Sequence, residues 1–190
     1  MVNILINMTE STLLTTYKTE VVPAMKEQFG YKNIMEVPGL KKVVVNVGYG
    51  RHVKDKPFIE QVEKTLKTIT GQKPVHNKAT KSISNFKIRE GMNIGASVTL
   101  RGKPMYDFLY KLIHVTFPRE RDFRGINPDA FDAQGNYSIG FKENIAFPEL
   151  SADAVDSPHG LEVVITTTAH SKEEGKALLT AFGFPFKDKK

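Results

Sequence analysis

The sequence predicts an α+β fold, with helices packed on one face of a mainly antiparallel sheet and an exposed basic, hydroxylic face on the other. Three observations predict it. Four segments carry apolar residues at helical spacing. Between them lie β-branched or alternating runs joined partly by long stretches and partly by hairpin-length ones, the mixture that an antiparallel sheet with helices on one side produces. The strands that alternate put Ser, Thr, Lys and Arg on the side opposite their apolar residues. The length of 190 residues suggests a single domain, 1–190, large enough to bury a core without disulfides or metal.

The elements follow in order. A first helix is expected over 11–29, with Leu13, Leu14, Tyr17, Val21, Met25 and Phe29 as its stripe, Ser11 as its cap and Gly30 as its stop. Pro23 should bend or split it, because proline lacks the N–H and clashes with the preceding turn. The β-branched run LKKVVVNV (40–47) reads as a strand buried on both faces, and GYG (48–50) then turns the chain. A second helix over about 56–70 presents Phe58, Val62, Leu66 and Ile69, with Glu60–Lys64 and Glu63–Lys67 pairs on its other side and Gly71 at its end. Residues 74–88 read as extended segments, and ASVTLR (96–101) as a strand. Pro104 opens a third helix with Met105, Phe108, Leu109, Leu112 and Val115 inside and His114 partly buried; Pro118 should end it. NYSIGFK (136–142) and LEVVITTT (161–168) are strands. Ser171 and Glu174 form a capping box for a last helix carrying Leu178, Leu179 and Phe182 and ending at Gly183. Gly175 inside that helix should cost about 1 kcal/mol relative to Ala.

Alternation assigns the two faces. Ala96, Val98 and Leu100 oppose Ser97, Thr99 and Arg101; Tyr137, Ile139 and Phe141 oppose Ser138, Gly140 and Lys142; Phe86 and Ile88 oppose Lys87 and Arg89. The net charge is +6, and residues 73–124 alone hold eleven Lys/Arg against four acids, so all the excess positive charge sits in the middle of the chain. A charge so concentrated marks a polyanionic partner, most commonly nucleic acid. The wet face then reads as a platform for a phosphate backbone, with hydroxyls for ribose or phosphate.

Other classes fit poorly. There is no cysteine, which removes disulfides, thiolate metal sites and cysteine nucleophiles and fits a reducing compartment. The N-terminus has no basic leader, and no apolar run approaches the ~18 residues of a membrane span. NVGYGRHV lacks the third glycine of a dinucleotide loop, where Val53 stands, and no acidic residue follows at the required distance. The five histidines are scattered singly, without metal-ligand spacing. No catalytic constellation, cofactor site or metal site is found, so the reading is non-enzymatic.

KSISNFKIREGMNIG (81–95) is the segment least suited to a domain interior: basic, partly apolar and glycine-containing. With NIMEVPGLKKVVVNVGYG (33–50), ITGQKP (69–74), KATKSISNFKIREGMNIGASVTLRG (78–102), PRERDFRGINPDAFDAQGNYSIGFKENIAFPE (118–149) and ALLTAFGFPF (177–186), it makes the chain resemble the bacterial-type large-subunit ribosomal protein five, the 5S-rRNA-binding family. The resemblance runs from about 17 to 187, in constant order and spacing. It implies an RNA-binding structural protein of the central protuberance of the large ribosomal subunit, acting in translation in the cytoplasm. The implied partners are 5S rRNA, 23S rRNA, peptidyl-site tRNA, small-subunit ribosomal protein thirteen at an intersubunit bridge, and neighbouring 5S-rRNA-binding ribosomal proteins.

The family's RNA-contacting positions fall on Asn46, Gln72 and Thr99, and the exposed sheet face adds Ser97 and Arg101. Local readings stand beside these: Asn46 could bond the glycine turn, and Gln72 could cap a helix end. The resemblance makes 78–95 a protruding hairpin that meets the tRNA elbow, with Lys81, Ser82, Asn85, Lys87 and Arg89 as its contacts and Gly91 and Gly95 letting its tip move. Phe86 and Met92 could instead be core, Met92 as a plug of the turn. Arg119, Arg121 and Arg124 are further RNA candidates, unless Glu120 and Asp122 neutralise them. Residues 1–12 have no secure family counterpart, Lys103-Pro104 stands where an acidic-basic pair is common, and Gly175 where the family more often has Ala. The competing readings are a ribosome-associated assembly or regulatory factor and, more distantly, an enzyme with a nucleotide cofactor.

Overall fold

The computed structural model describes residues 11–121, 123–150 and 158–187. Its architecture is α+β, a five-stranded antiparallel sheet with four helices. Helix α1 covers 12–29 and β1 Leu40–Gly48. Helix α2 (Lys56–Thr70) leads to β2 (Val75–Lys78), and β3 (Asn93–Leu100) to α3, 103–119. The chain closes with β4 (Tyr137–Phe141), β5 (Leu161–Thr167) and α4 (Lys172–Ala181). The strand order is β2-β3-β1-β5-β4. Residues group into two compact units, one of Val44–Thr99 with Gly140–Val164, the other of the segments up to Val43, Leu100–Ile139 and from Ile165 on.

Alternation holds in every long strand. Val43, Val45 and Val47 of β1, Ala96, Val98 and Leu100 of β3, Tyr137, Ile139 and Phe141 of β4, and Leu161, Val163 and Ile165 of β5 are buried. Each buried Val, Leu, Ile or Phe among them contributes about 1.5–3 kcal/mol relative to exposure. The intervening residues are half-buried or exposed, and this corrects the expectation for β1. Lys42, Val44 and Asn46 are half-exposed, so the strand is buried on one face only, as an antiparallel sheet with an open side allows.

The unit holding α1, α3 and α4 contains Pro23, expected to bend or split its helix, and Pro118, expected to end its own. Each helix widens into a five-residue π segment just ahead of its proline: Tyr17–Val21 before Pro23, which interrupts the α-helix there, and Leu112–Thr116 before Pro118. The wider turn makes room where a proline ring would strike the carbonyl of the preceding turn. Pro118 therefore does not end α3, which continues to Arg119. The π segment also advances the buried stripe. Ile113, Thr116 and Phe117 are inside, while Val115, expected there, is 37% exposed. His114, expected partly buried, is exposed and lies against Tyr110.

Two caps also differ from expectation. Ser11 precedes α1 but its side chain makes no cap bond. At α4, Ser171 Oγ accepts from the Glu174 N–H, but Glu174 reaches back to the His170 N–H rather than to that of Ser171. Gly175 is more than a propensity cost. A Cβ placed there would meet Gly135 backbone, overlapping its carbonyl oxygen and coming within 2.6 Å of its Cα. Gly135 has φ +74°, and the Thr167 hydroxyl donates to its carbonyl at 3.0 Å. The two glycines let α4 and the 132–136 turn touch backbone to backbone.

In the other unit, α2 matches its expected bounds. The Asp55 side chain caps it at the Phe58 N–H, and Gly71 ends it in the left-handed conformation. Val62, Leu66 and Ile69 are buried. No described helix is long and apolar enough to cross a membrane.

Candidate nucleic-acid interface

Within the Val44–Thr99 and Gly140–Val164 unit, the open side of three neighbouring strands collects polar side chains. Val75 pairs with Ser97 and Asn77 with Gly95 across β2 and β3. The Tyr49 N–H bonds the Ile94 carbonyl at 2.9 Å, and that register carried inward sets Asn46 beside Ser97. A Cβ on Gly95 would stand 3.0 Å from the Val47 carbonyl, so Gly95 serves close strand approach and not hairpin motion. Ser97 Oγ donates to Asn77 Oδ1 at 3.2 Å. The side chains of Asn46 and Thr99 have no hydrogen-bond partner among the described residues, and Thr99 is exposed. Gln72 is exposed in the turn after α2, where its backbone N–H bonds Thr70 Oγ1 and its side chain bonds nothing described. The local roles considered for Asn46 and Gln72 are therefore not seen in their side chains.

The arm 78–95 is a built hairpin. Ala79 exchanges backbone bonds with Met92 and Gly91, and Ile83 with Ile88. Its tip is the turn 84–87, in which the Lys87 N–H bonds the Ser84 carbonyl and Lys87 itself has φ +55°. A turn in place of a strand cancels the alternation expected over 86–89: Phe86 is not opposed to Lys87 as a core residue but is 69% exposed. Gly91, with φ +82°, lies at the arm's return and not its tip. Met92 is half-buried and its Sδ accepts from the Arg89 N–H, which makes it the plug of that return. Lys81, Asn85, Lys87 and Arg89 are exposed, with no ion pair or side-chain hydrogen bond to a described residue; Ser82 Oγ accepts from the Glu90 N–H.

The fold also brings in residues that sequence reasoning missed. Lys54 lines one groove with Ser82, Ser84, Lys87 and Arg89. An adjoining open groove of about 950 Å³ is lined by Arg51, His52, Phe58, Phe86, Ile88 and His159, among others. Its floor is His159, 7% exposed, whose Nδ1 lies 3.2 Å from the Gly160 carbonyl and whose Nε2 has no partner among the described residues. Burial pushes the His159 pKa below its ordinary value, outweighing the Gly160 bond. Acidification should therefore destabilise the fold as pH falls below the unfolded value of about 6.5, because the unfolded chain binds a proton that the folded imidazole resists. Arg51, His52 and Asp55 face the same groove. Urea unfolding at successive pH values should show a loss in the parent that is reduced in His159→Phe.

In the other unit, Arg101, Arg119, Arg121 and Arg124 are exposed or half-exposed and have no ion pair with a described carboxylate. No described group of His, Asp and Glu could hold a metal ion.

Two family models match consecutive stretches: "Ribosomal protein L5" over residues 33–89, and "ribosomal L5P family C-terminus" over 93–186. The chain belongs to the ribosomal protein L5 family. Relatives named "Large ribosomal subunit protein uL5" agree along nearly the whole length. That of Halothermothrix orenii is 54% identical over 93% of this chain and 98% of its own. That of Thermosipho africanus is 55% identical over 90% and 94%. That of Acholeplasma laidlawii is 53% identical over 90% and 95%. L5 proteins are structural rRNA-binding components of ribonucleoprotein and not enzymes. The seam between the two L5 models falls at residues 90–92, the return of the arm.

Proposed function

We propose that the chain is a resident structural constituent of the large ribosomal subunit in the cytoplasm, holding 5S rRNA on the open side of β1 and β3. The observation that carries this reading is the set of polar side chains left without protein partners where a nucleic acid can reach them: Asn46, Gln72 and Thr99. Ser97 and Arg101 belong to the same reading. Groups that are solvated and unpaired lose little on exchanging water for ribose or phosphate. The arm, through Lys81, Ser82, Asn85, Lys87 and Arg89, contacts peptidyl-site tRNA. Arg119, Arg121 and Arg124 meet further RNA, 23S rRNA being the partner the family resemblance implies. Small-subunit protein thirteen and neighbouring 5S-rRNA-binding proteins complete the surroundings.

Two measurements test this. Washed large subunits should retain about one copy of the protein; release in a moderate salt wash would favour a visiting assembly factor. Thr99→Val with Gln72→Ala should weaken 5S rRNA binding about 10-fold or more, on the scale of one or two hydrogen bonds of ~1 kcal/mol each, with the melting temperature nearly unchanged. A collapse of stability with unchanged binding would make both residues structural.

A further inference from the structure

We propose that the groove between the 48–52 turn and the arm receives one unstacked RNA base, a purine with an exocyclic amine, whose phosphate lies against Arg51 and Lys54. This rests on the RNA-binding reading and adds a base-reading site to it. Three features of the groove converge on that ligand.

The first is its π-rich wall. His52 and Phe58 lie with ring centroids 4.5 Å apart, and Phe86 is held out at the arm tip with 69% of its surface in water. A large ring kept exposed on a turn offers what a splayed-out base needs, a face to stack on. The second is charge. Arg51, on this groove, and Lys54, which shares a smaller neighbouring recess with Arg51 and Phe86, are exposed and have no ion pair with a described residue. The one acid on the wall among the described residues, Asp55, already accepts from the Phe58 N–H. The rim therefore favours an anion.

The third is the floor. A carbonyl can only accept, so the bond between His159 Nδ1 and the Gly160 oxygen requires the proton on Nδ1. That leaves Nε2 of this groove-lining residue as a bare acceptor, buried and without a partner among the described residues. A buried acceptor without a partner carries a cost that a ligand N–H removes. A base amine that reaches Nε2 as the His159 ring turns toward the groove would supply that donor, and a groove of about 950 Å³ has room for a purine.

The test uses the full chain and a uridine-rich hexamer with one central 2-aminopurine, whose fluorescence falls on stacking. Saturable quenching is expected. Phe86→Ala, at an exposed position that cannot threaten the fold, should weaken it by roughly 5- to 100-fold, the range for one base–aromatic stack. His159→Phe, which keeps the volume and removes the acceptor, should weaken it about 2- to 10-fold, as for one hydrogen bond. An unlabelled hexamer with central adenine should compete better than one with purine riboside, which lacks the amine. Binding of 5S rRNA is followed in parallel by filter retention. If 5S rRNA binds but the probe is not quenched, or both variants quench like the parent, the base site is wrong and the groove is left to another occupant such as a peptide. If neither RNA binds, the RNA-binding reading falls with it.

Discussion

Gly175→Ala should destabilise the protein by up to about 2 kcal/mol net, although it places a better helix former inside a helix. Two effects of opposite sign compete. Removing glycine from a helix interior gains about 1 kcal/mol. The added methyl, however, would lie 2.6 Å from the Gly135 Cα and 2.9 Å from its carbonyl carbon. These are backbone atoms, so no rotamer change relieves the overlap, and overpacking of this kind costs about 1–3 kcal/mol and sometimes more. Nor can the 132–136 turn withdraw freely. Asp132 Oδ1 accepts from the N–H groups of Gln134 and Asn136, Asn136 Oδ1 accepts from the Thr167 N–H, and Thr167 bonds the Gly135 carbonyl. Moving Gly135 breaks part of that set. The overlap therefore wins. Thermal unfolding should show a fall of about 2–4 °C per kcal/mol for a chain of this size. Gly140→Ala is the control, since a Cβ there meets nothing within 4 Å. Equal melting temperatures for Gly175→Ala and the parent would mean that α4 does not rest on Gly135.

Removing the arm's three cations together, Lys81→Ala, Lys87→Ala and Arg89→Ala, should change the salt dependence of RNA binding more than the fold. All three are exposed and hold no described carboxylate, so the melting temperature should stay within about 2 °C of the parent, the ±0.5 kcal/mol expected of surface changes. For every phosphate that the variant no longer neutralises, the plot of log K against log salt should flatten by about 0.7–0.9. Three phosphates amount to roughly 2–3 in slope. The affinity gap between parent and variant on tRNA should therefore shrink about 20- to 40-fold between 50 and 200 mM salt. Binding to 5S rRNA should change far less. An unchanged slope on tRNA would show that the arm's charges do not meet phosphate.

Much of the architecture was legible because local signals agreed with one another. In α2, the apolar stripe, the charge pairs and Gly71 all named the same bounds. In β4, period-two alternation named the face of every residue. Reading failed where the chain hides its period. Val44 is as apolar as Val43 and Val45, so only Asn46 betrayed that β1 has an open side. The π segment of α3 leaves no mark in composition, and it carries the buried stripe on to Phe117 while Val115 is left outside. At the arm, 86–89 imitates a strand, yet the positive φ of Lys87 makes it a turn and turns Phe86 outward. The hydroxyl and cation candidates could be named from alternation, charge and family likeness. Arg51, Lys54 and His159 could not, because only the fold brings the 48–55 turn, the arm and the segment before β5 together, with Arg51 and His159 on one groove and Lys54 on the adjoining one.

The backbone bonds that close the arm bear on how fast and how tightly it can be used. Ordering one residue costs about 1–2 kcal/mol of conformational entropy, so a limp segment of this length would forfeit much of what its charges gain on meeting a partner. Here Ala79, Ile83, Ser84 and Ile88 have already fixed the path of the chain before any partner arrives. The arm is a preorganised probe: with its path already fixed, a partner at its tip would not have to order the loop, and the side chains it carries would set the affinity.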